Sequence, residues 1–319
     1  MGHSLATVCV IALGTLGAWG CSGNDEPVVG SQTPAFTIET GPFEVAAGQE
    51  VQNCHFFEVV SDEPMHINRI QVRQNEGTHH MNVFRVKTIL ELGGAPGDVI
   101  EDGECWNSAN WADWPLVTNS QTEGDLDWQL PEGVAHRFEP RELLMLQTHY
   151  VNTAAQDTPV GGDVNVDFFN VPEAEVHHEL GTVFATNQEI RICPGEDKRY
   201  ETTCRFAQED ALTIVAATGH FHDRGTRFRI STFDPIAGSS APFYESTAWD
   251  EPPFLRDLSV QVPAGGGISY SCEYSAPLDG CGDPNDSCCF TFGGFVDFQE
   301  HCNAFVYFFP GGATDYNCF

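Results

Sequence analysis

The sequence predicts an all-β chain, and three features lead to that expectation. Apolar residues recur with period two, turn signals interrupt these runs at short intervals, and no sustained apolar stripe has helical spacing. Val164, Val166 and Phe168 alternate with Asn165 and Asp167, and Phe228 and Ile230 alternate with Arg227 and Arg229. Ile268, Tyr270, Cys272 and Tyr274 fall on one face of a third strand. Each alternation offers one face to a core and the other to water. Turns are expected at Gly-Gly-Ala-Pro-Gly-Asp (93–98) and Pro-Ala-Gly-Gly-Gly (263–267). Antiparallel β-sandwiches are the expected architecture, and 319 residues leave room for two of them at about 150 residues each.

Along the chain, residues 5–20 form one apolar run, shorter than the roughly 20 residues a membrane span needs. Residues 1–20 therefore read as a secretory signal, although no Lys or Arg precedes the run. Cys21 follows Ala18-Trp19-Gly20, a lipoprotein-like cleavage box with an unusual Trp19, so Cys21 is a candidate lipid anchor. The expected location is outside the cytoplasm, as an envelope lipoprotein or a secreted protein. Residues 21–35 are polar and rich in Pro and Gly, and read as a flexible tether. Residues 36–171 and 172–319 are the two expected sandwiches, divided near Asn170-Val171-Pro172-Glu173.

Beyond Cys21, ten cysteines remain: 54, 105, 193, 204, 272, 281, 288, 289, 302 and 318. An even number in an exported chain points to about five disulfides. A thiolate metal site at Cys281, Cys288 and Cys289 is the competing reading, but the spacing fits no usual zinc knuckle. The formal charge of −32 excludes nucleic acid as a partner, because such a surface repels phosphate backbones.

Function is to be sought in histidine. His79-His80, His149, and the pair His220 and His222 lie in apolar, strand-like contexts where an unsatisfied imidazole is costly to bury. Imidazole is a natural ligand for copper, zinc, iron or nickel. Residues two apart on a strand project from the same face, so His220 and His222 can serve one ion. Neighbours on a strand point oppositely, so His79 and His80 can do so only where the backbone bends, which Gly77-Thr78 permits. Three histidines in one half and two in the other suggest two separate centres. His55, His66, His136, His177 and His178 are expected to be surface or core residues.

The motifs Thr78-His79-His80-Met81, Leu146-Gln147-Thr148-His149-Tyr150, Gly219-His220-Phe221-His222 and Glu300-His301-Cys302-Asn303, in this order, resemble those of the copper type II, ascorbate-dependent monooxygenases. This is the family of peptidylglycine α-hydroxylating monooxygenase and dopamine β-monooxygenase. The resemblance covers roughly residues 50–319. It implies two jelly-roll-like sandwiches with two coppers per chain, one in each, facing across a solvent-filled cleft. It implies that His79, His80 and His149 hold an electron-transfer copper reduced by ascorbate or another reductant. His220 and His222 would belong to the copper where dioxygen is used to hydroxylate a small-molecule substrate. It also implies the disulfides Cys54–Cys105 and Cys272–Cys302, leaving Cys193, Cys204, Cys281, Cys288, Cys289 and Cys318 unassigned.

The departures bear on chemistry. The family's third ligand at the second copper is a methionine; this chain has His301 in that slot and no methionine after Met145, so His301 is the expected third ligand beside His220 and His222. A third imidazole donates better to Cu(II) and tolerates Zn(II), whereas a thioether favours Cu(I). Peptidylglycine enzymes carry an arginine where this chain has Thr218 and a tyrosine where it has Phe305, while Asn303 persists. Without a bidentate partner for a carboxylate, a peptidylglycine substrate is not expected. Phe305 and Phe308 suggest a neutral or apolar substrate instead. Two further readings stand beside the monooxygenase: a non-catalytic copper-binding or buffering surface protein, and a zinc hydrolase at His220, His222 and His301.

Overall fold

A computed structural model describes residues 33–75, 77–88, 94–101, 105, 114–121, 124–152, 159–206, 208–311 and 316–318. The expected signal, the candidate anchor Cys21 and most of the expected tether lie outside the described residues. Nearly all regular structure is β, as expected. One six-stranded sheet runs in the order Phe36–Glu39, Val164–Asn170, Met65–Gln74, Val134–Phe138, His178–Glu179, with Gly124–Gln129 also paired to Met65–Gln74. It packs on a five-stranded sheet ordered Val99–Glu101, Glu50–Glu58, Leu143–Val151, Thr78–Arg85, Leu116–Ser120. Between them lies a core that includes Ile67, Val72, Val83, Leu146, Val166 and Phe168.

The later strands repeat this plan. One sheet is ordered Val260–Val262, Leu212–His220, Asn303–Phe309, Gly181–Thr186, Tyr316–Cys318. The other is ordered Asp197–Arg205, Gly267–Ser275, Gly225–Asp234, Gly238–Ser239, with Tyr244–Ser246 also on Gly225–Asp234. Their shared core includes Ile214, Phe228, Ile230, Ile268, Tyr270 and Phe308. The alternations at 164–168, 228–230 and 268–274 thus deliver their apolar members inward. Pairing is not wholly antiparallel: among the described residues three short pairs are parallel. They are His178–Glu179 on Val134–Phe138, Tyr316–Cys318 on Gly181–Thr186, and Phe290–Phe292 on Gln299–Glu300.

Among the described residues five disulfides staple the chain. Cys54–Cys105 and Cys272–Cys302 are the two pairs the resemblance implies, and the others are Cys193–Cys289, Cys204–Cys318 and Cys281–Cys288. Disulfides in this number suit an exported chain. Among the described residues no helix is long and apolar enough to cross a membrane.

Residues 33–319 form one compact unit, because each sandwich presses one sheet face against the other. Directly opposed residues on neighbouring strands share a face, so the register yields rows. In the first sandwich one row is Phe56, Met145, Phe84 and Leu116, the next is Cys54, Gln147, Asn82 and Asn119, and the third is Gln52, His149 and His80. In the second the rows are Thr182, Tyr307 and Ala216, then Phe184, Phe305 and Thr218, then Thr186, Asn303 and His220. Both faces therefore grade from an apolar end to an imidazole end, through amides in the first sandwich and through Phe184, Phe305 and Thr218 in the second. At the apolar end Phe56, Phe84, Trp114, Trp128 and Met145 share one buried cluster with Phe184, Phe305 and Tyr307.

Polar contacts fix the alignment. The Thr182 hydroxyl donates to the Leu116 carbonyl at 2.8 Å. The Tyr307 hydroxyl donates to Asn119 Oδ1 at 2.5 Å and accepts from the Asn119 backbone N–H at 3.0 Å. Replacing Tyr307 with Phe strands both groups of Asn119 in the interior, with an expected loss of about 1–3 kcal/mol in denaturant unfolding. An unchanged midpoint would show that the two halves do not depend on this contact.

Two buried histidines outside the junction set a pH dependence. Burial lowers the His55 imidazole to about 4. Burial, and then the nearby Arg85 guanidinium, lower that of His136 to about 3, although its ring bonds the Val117 carbonyl. Both folded values lie below the unfolded one near 6.5, so the unfolded chain binds protons that the folded chain refuses. Their contribution is full above that value and declines as the pH falls toward 4. At pH 5 His136 alone is expected to cost about 2 kcal/mol relative to pH 7. Unfolding midpoints of the metal-free chain at the two pH values test this, and a midpoint that holds or rises on acidification would contradict it.

Candidate metal centre

The third rows meet. His79, His80, His149, His220, His222 and His301 are all buried, none more than 5% exposed. His80 lies 4.7 Å from His220 between ring centroids, and His79 lies 4.8 Å from His220 and 5.5 Å from His222. The sequence suggested two separate centres, and the resemblance a solvent-filled cleft between them. Here the two sets of rings touch instead, because the aromatic rows behind them close the sandwiches on each other.

Local backbone explains how each ring arrives. Opposite Leu143–Val151 the register steps from His80 to Thr78, leaving His79 as the extra residue of a β-bulge. That is the bend needed for neighbouring histidines to share a side, and their centroids are 5.1 Å apart. Gly77, just before, takes φ +89°, and a Cβ there would meet Val160 Cγ1 at 2.8 Å. His220 ends the strand Leu212–His220, and His222 lies just beyond it, with centroids 5.2 Å apart. Gly219 admits the Phe228 ring, which would lie 2.3 Å from a Cβ at that position. His301 arrives from the far side, 4.7 Å from His222 and 5.2 Å from His220.

Hydrogen bonds orient the rings. His149 Nε2 is 2.6 Å from Glu50 Oε1, so this nitrogen donates to the carboxylate, while Nδ1 makes no hydrogen bond. His222 Nδ1 donates to the Gln299 carbonyl at 2.9 Å, leaving Nε2 as the electron-pair donor. Glu50 also accepts the Val296 backbone N–H at 2.9 Å, so one carboxylate ties a histidine of the first sandwich to the segment leading to His301. Glu300 is fully buried and accepts from the His222 N–H at 3.0 Å and from Arg224 Nε at 2.7 Å. Arg224 in turn stacks over Phe290 and donates to the Asp297 and Gln299 carbonyls.

Burial holds the imidazoles of His79, His80, His220 and His222 well below 6.5, and their neighbouring imidazoles push the same way. His301 is lowered to about 3, chiefly by burial. These rings are neutral at pH 7, the state that ligates metal. His79 Nε2, His80 Nδ1, His149 Nδ1, both nitrogens of His220, and His222 Nε2 are buried without a hydrogen-bond partner. Ligand atoms of His79, His80 and His149 lie within 4.8 Å of one another, as do those of His79, His220 and His222. A metal ion is what such a donor set fits, and all-imidazole donors suit Cu(II) or Zn(II).

The residues expected at a substrate site are packed into the junction or a core, with Asn303 directly opposite His220 on the neighbouring strand. Thr218 and Asn303 are buried in the junction, and Phe305 stacks on Phe184 at 5.2 Å. Phe308 points the other way, into the core of its own sandwich. A cavity of about 270 Å³ opens beside His79, lined by Gly77, Thr78, Val151, Trp249, Asp250 and Glu251. Sequence reasoning missed Glu50, Arg224 and Trp249. Glu50 reaches His149 diagonally across a strand pair, and Trp249 packs 5.8 Å from His79 from the other half, so neither leaves a local signal. Of the other histidines, His55, His66 and His136 are core residues, whereas His177 and His178 are exposed.

No family model and no curated protein matches the chain. Among solved structures, a PBCV-1 virus capsid quasi-atomic model matches at 10% identity, covering 85% of this chain and 92% of that one, with a TM-score of 0.25. The CBM22-1-CBM22-2 tandem domain from Paenibacillus barcinonensis Xyn10C matches at 10% identity, covering 83% and 81%, with a TM-score of 0.18. Scores this low carry no argument about fold relationship or function.

Proposed function

We propose that this chain is an exported copper protein with monooxygenase-like redox activity, using dioxygen and a small-molecule reductant such as ascorbate on a small organic substrate. The observation that carries the reading is the set of buried, neutral, unpartnered imidazole nitrogens converging from both sandwiches. The ordered histidine motifs and their resemblance to the copper type II monooxygenases favour copper over zinc. Bound copper supplies one-electron transfer and dioxygen chemistry. The chain's part is to hold the rings: Glu50 fixes the tautomer of His149, the Gln299 carbonyl fixes that of His222, and Arg224 with Glu300 anchors the segment carrying His301. The surrounding burial excludes water, and the cavity beside His79 offers a small molecule access from the Trp249 side. Export would follow from the signal at 1–20, with Cys21 as the lipid anchor.

A second reading, copper storage without catalysis, is favoured by the burial of Thr218, Asn303 and Phe305 away from that cavity. Oxygen consumption by the copper-loaded chain with ascorbate separates the two. Uptake above a free-copper control, abolished in His149→Ala and His222→Ala, is expected for the enzyme. Retained copper with no uptake would leave storage, and failure to retain copper would end both readings. Glu50→Gln is expected to weaken copper binding about 10–100-fold, as loss of a ligand's orienting partner does, and an unchanged affinity would remove Glu50 from the metal's support.

A further inference from the structure

Which histidines act together is not settled by their order in the chain. Both sets of converging ligand atoms contain His79: one with His80 and His149, the other with His220 and His222. The His79 ring lies 5.1, 5.0, 4.8 and 5.5 Å from those four rings, in the middle of the group. His301, although adjacent to His222, belongs to neither set.

We propose that His79 is a ligand common to the two sandwiches, so that the chain takes up one divalent metal ion tightly and a second only much more weakly. This rests on the reading of the cluster as a metal centre. A neutral imidazole has one lone pair and one N–H. Once the His79 lone pair is committed to an ion with His80 and His149, the opposite set is reduced to His220 and His222, and the converse holds. Serving two ions at once would require His79 to lose its remaining proton. Two dications drawn into so small a buried volume would also repel each other strongly, because the interior screens charge poorly. A single ion held through His79 takes ligands from both halves or lies where either half can claim it. It therefore also clasps the junction that Glu50 and the aromatic rows close.

The test is calorimetric titration of the metal-stripped, full-length protein with Cu(II), and separately with Zn(II). A shared ligand gives one tight ion in the wild type, with any second ion bound at least about tenfold more weakly. His149→Ala and His222→Ala each retain one tight ion, since one converging set survives in each. His301→Ala also retains it, and His79→Ala retains none. Two ions of equal affinity in the wild type would overturn the proposal, as would one tight ion persisting in a His79→Ala variant whose near-ultraviolet circular dichroism is native. Should that variant fail to fold, wild type, His149→Ala and His222→Ala decide alone. One ion in each supports a shared ligand, and two ions falling to one refutes it. Tight Zn(II) with no tight Cu(II) would end the copper reading and leave the shared ligand standing. Two equal coppers would do the reverse, and no tight ion of either kind would end both.

Discussion

The constraint on which this molecule turns is the burial of six imidazoles where two β-sandwiches meet. A polar nitrogen buried without a partner costs about 1–3 kcal/mol, and six such atoms are present on five of these rings. Their summed cost is comparable to the whole net stability of an ordinary domain, about 5–15 kcal/mol. The histidines cannot simply swing out to water, because the faces that carry them also carry Phe56, Phe84, Met145, Phe184, Phe305 and Tyr307. Parting the rings would mean exposing that aromatic surface. A ligand that satisfies the nitrogens in place is the arrangement's natural complement, and a metal ion is the ligand whose chemistry matches neutral imidazoles.

The same desolvation that makes the cluster costly also prepares it. Neutral rings need not release a proton to ligate, and fixed tautomers reduce the reorganisation that binding would otherwise demand. Glu50 stands out because its carboxylate touches His149 and the Val296 N–H together, joining orientation of a ligand to closure of the junction. Arg224 and Glu300 play the corresponding part on the other side, where a buried ion pair and several carbonyls hold the chain just before His301.

Much of this was legible in the sequence. The alternations at 164–168 and 268–274 announce strands with one face inward, and the even cysteine count announces a disulfide framework. The bend that lets His79 and His80 share a side is signalled by Gly77, whose positive φ and contact with Val160 need a residue without a side chain. What could not be read is long-range. Nothing near His80 indicates that it will lie against His220, because that contact depends on how two separately patterned sheets pack. Glu50 looks like any charged residue opening a strand, and Phe308 resembles Phe305 in sequence although strand alternation turns it to the opposite face. The pairings Cys193–Cys289 and Cys204–Cys318 likewise join segments distant in the chain.

Whether histidines of both sandwiches form one metal-holding cluster is decided by anomalous diffraction at the copper edge from crystals of the copper-loaded protein. Anomalous density is expected among His79, His80, His149, His220 and His222, with nitrogen donors from both halves. Density confined to the acidic surface, or two well-separated peaks with open solvent between them, would contradict it.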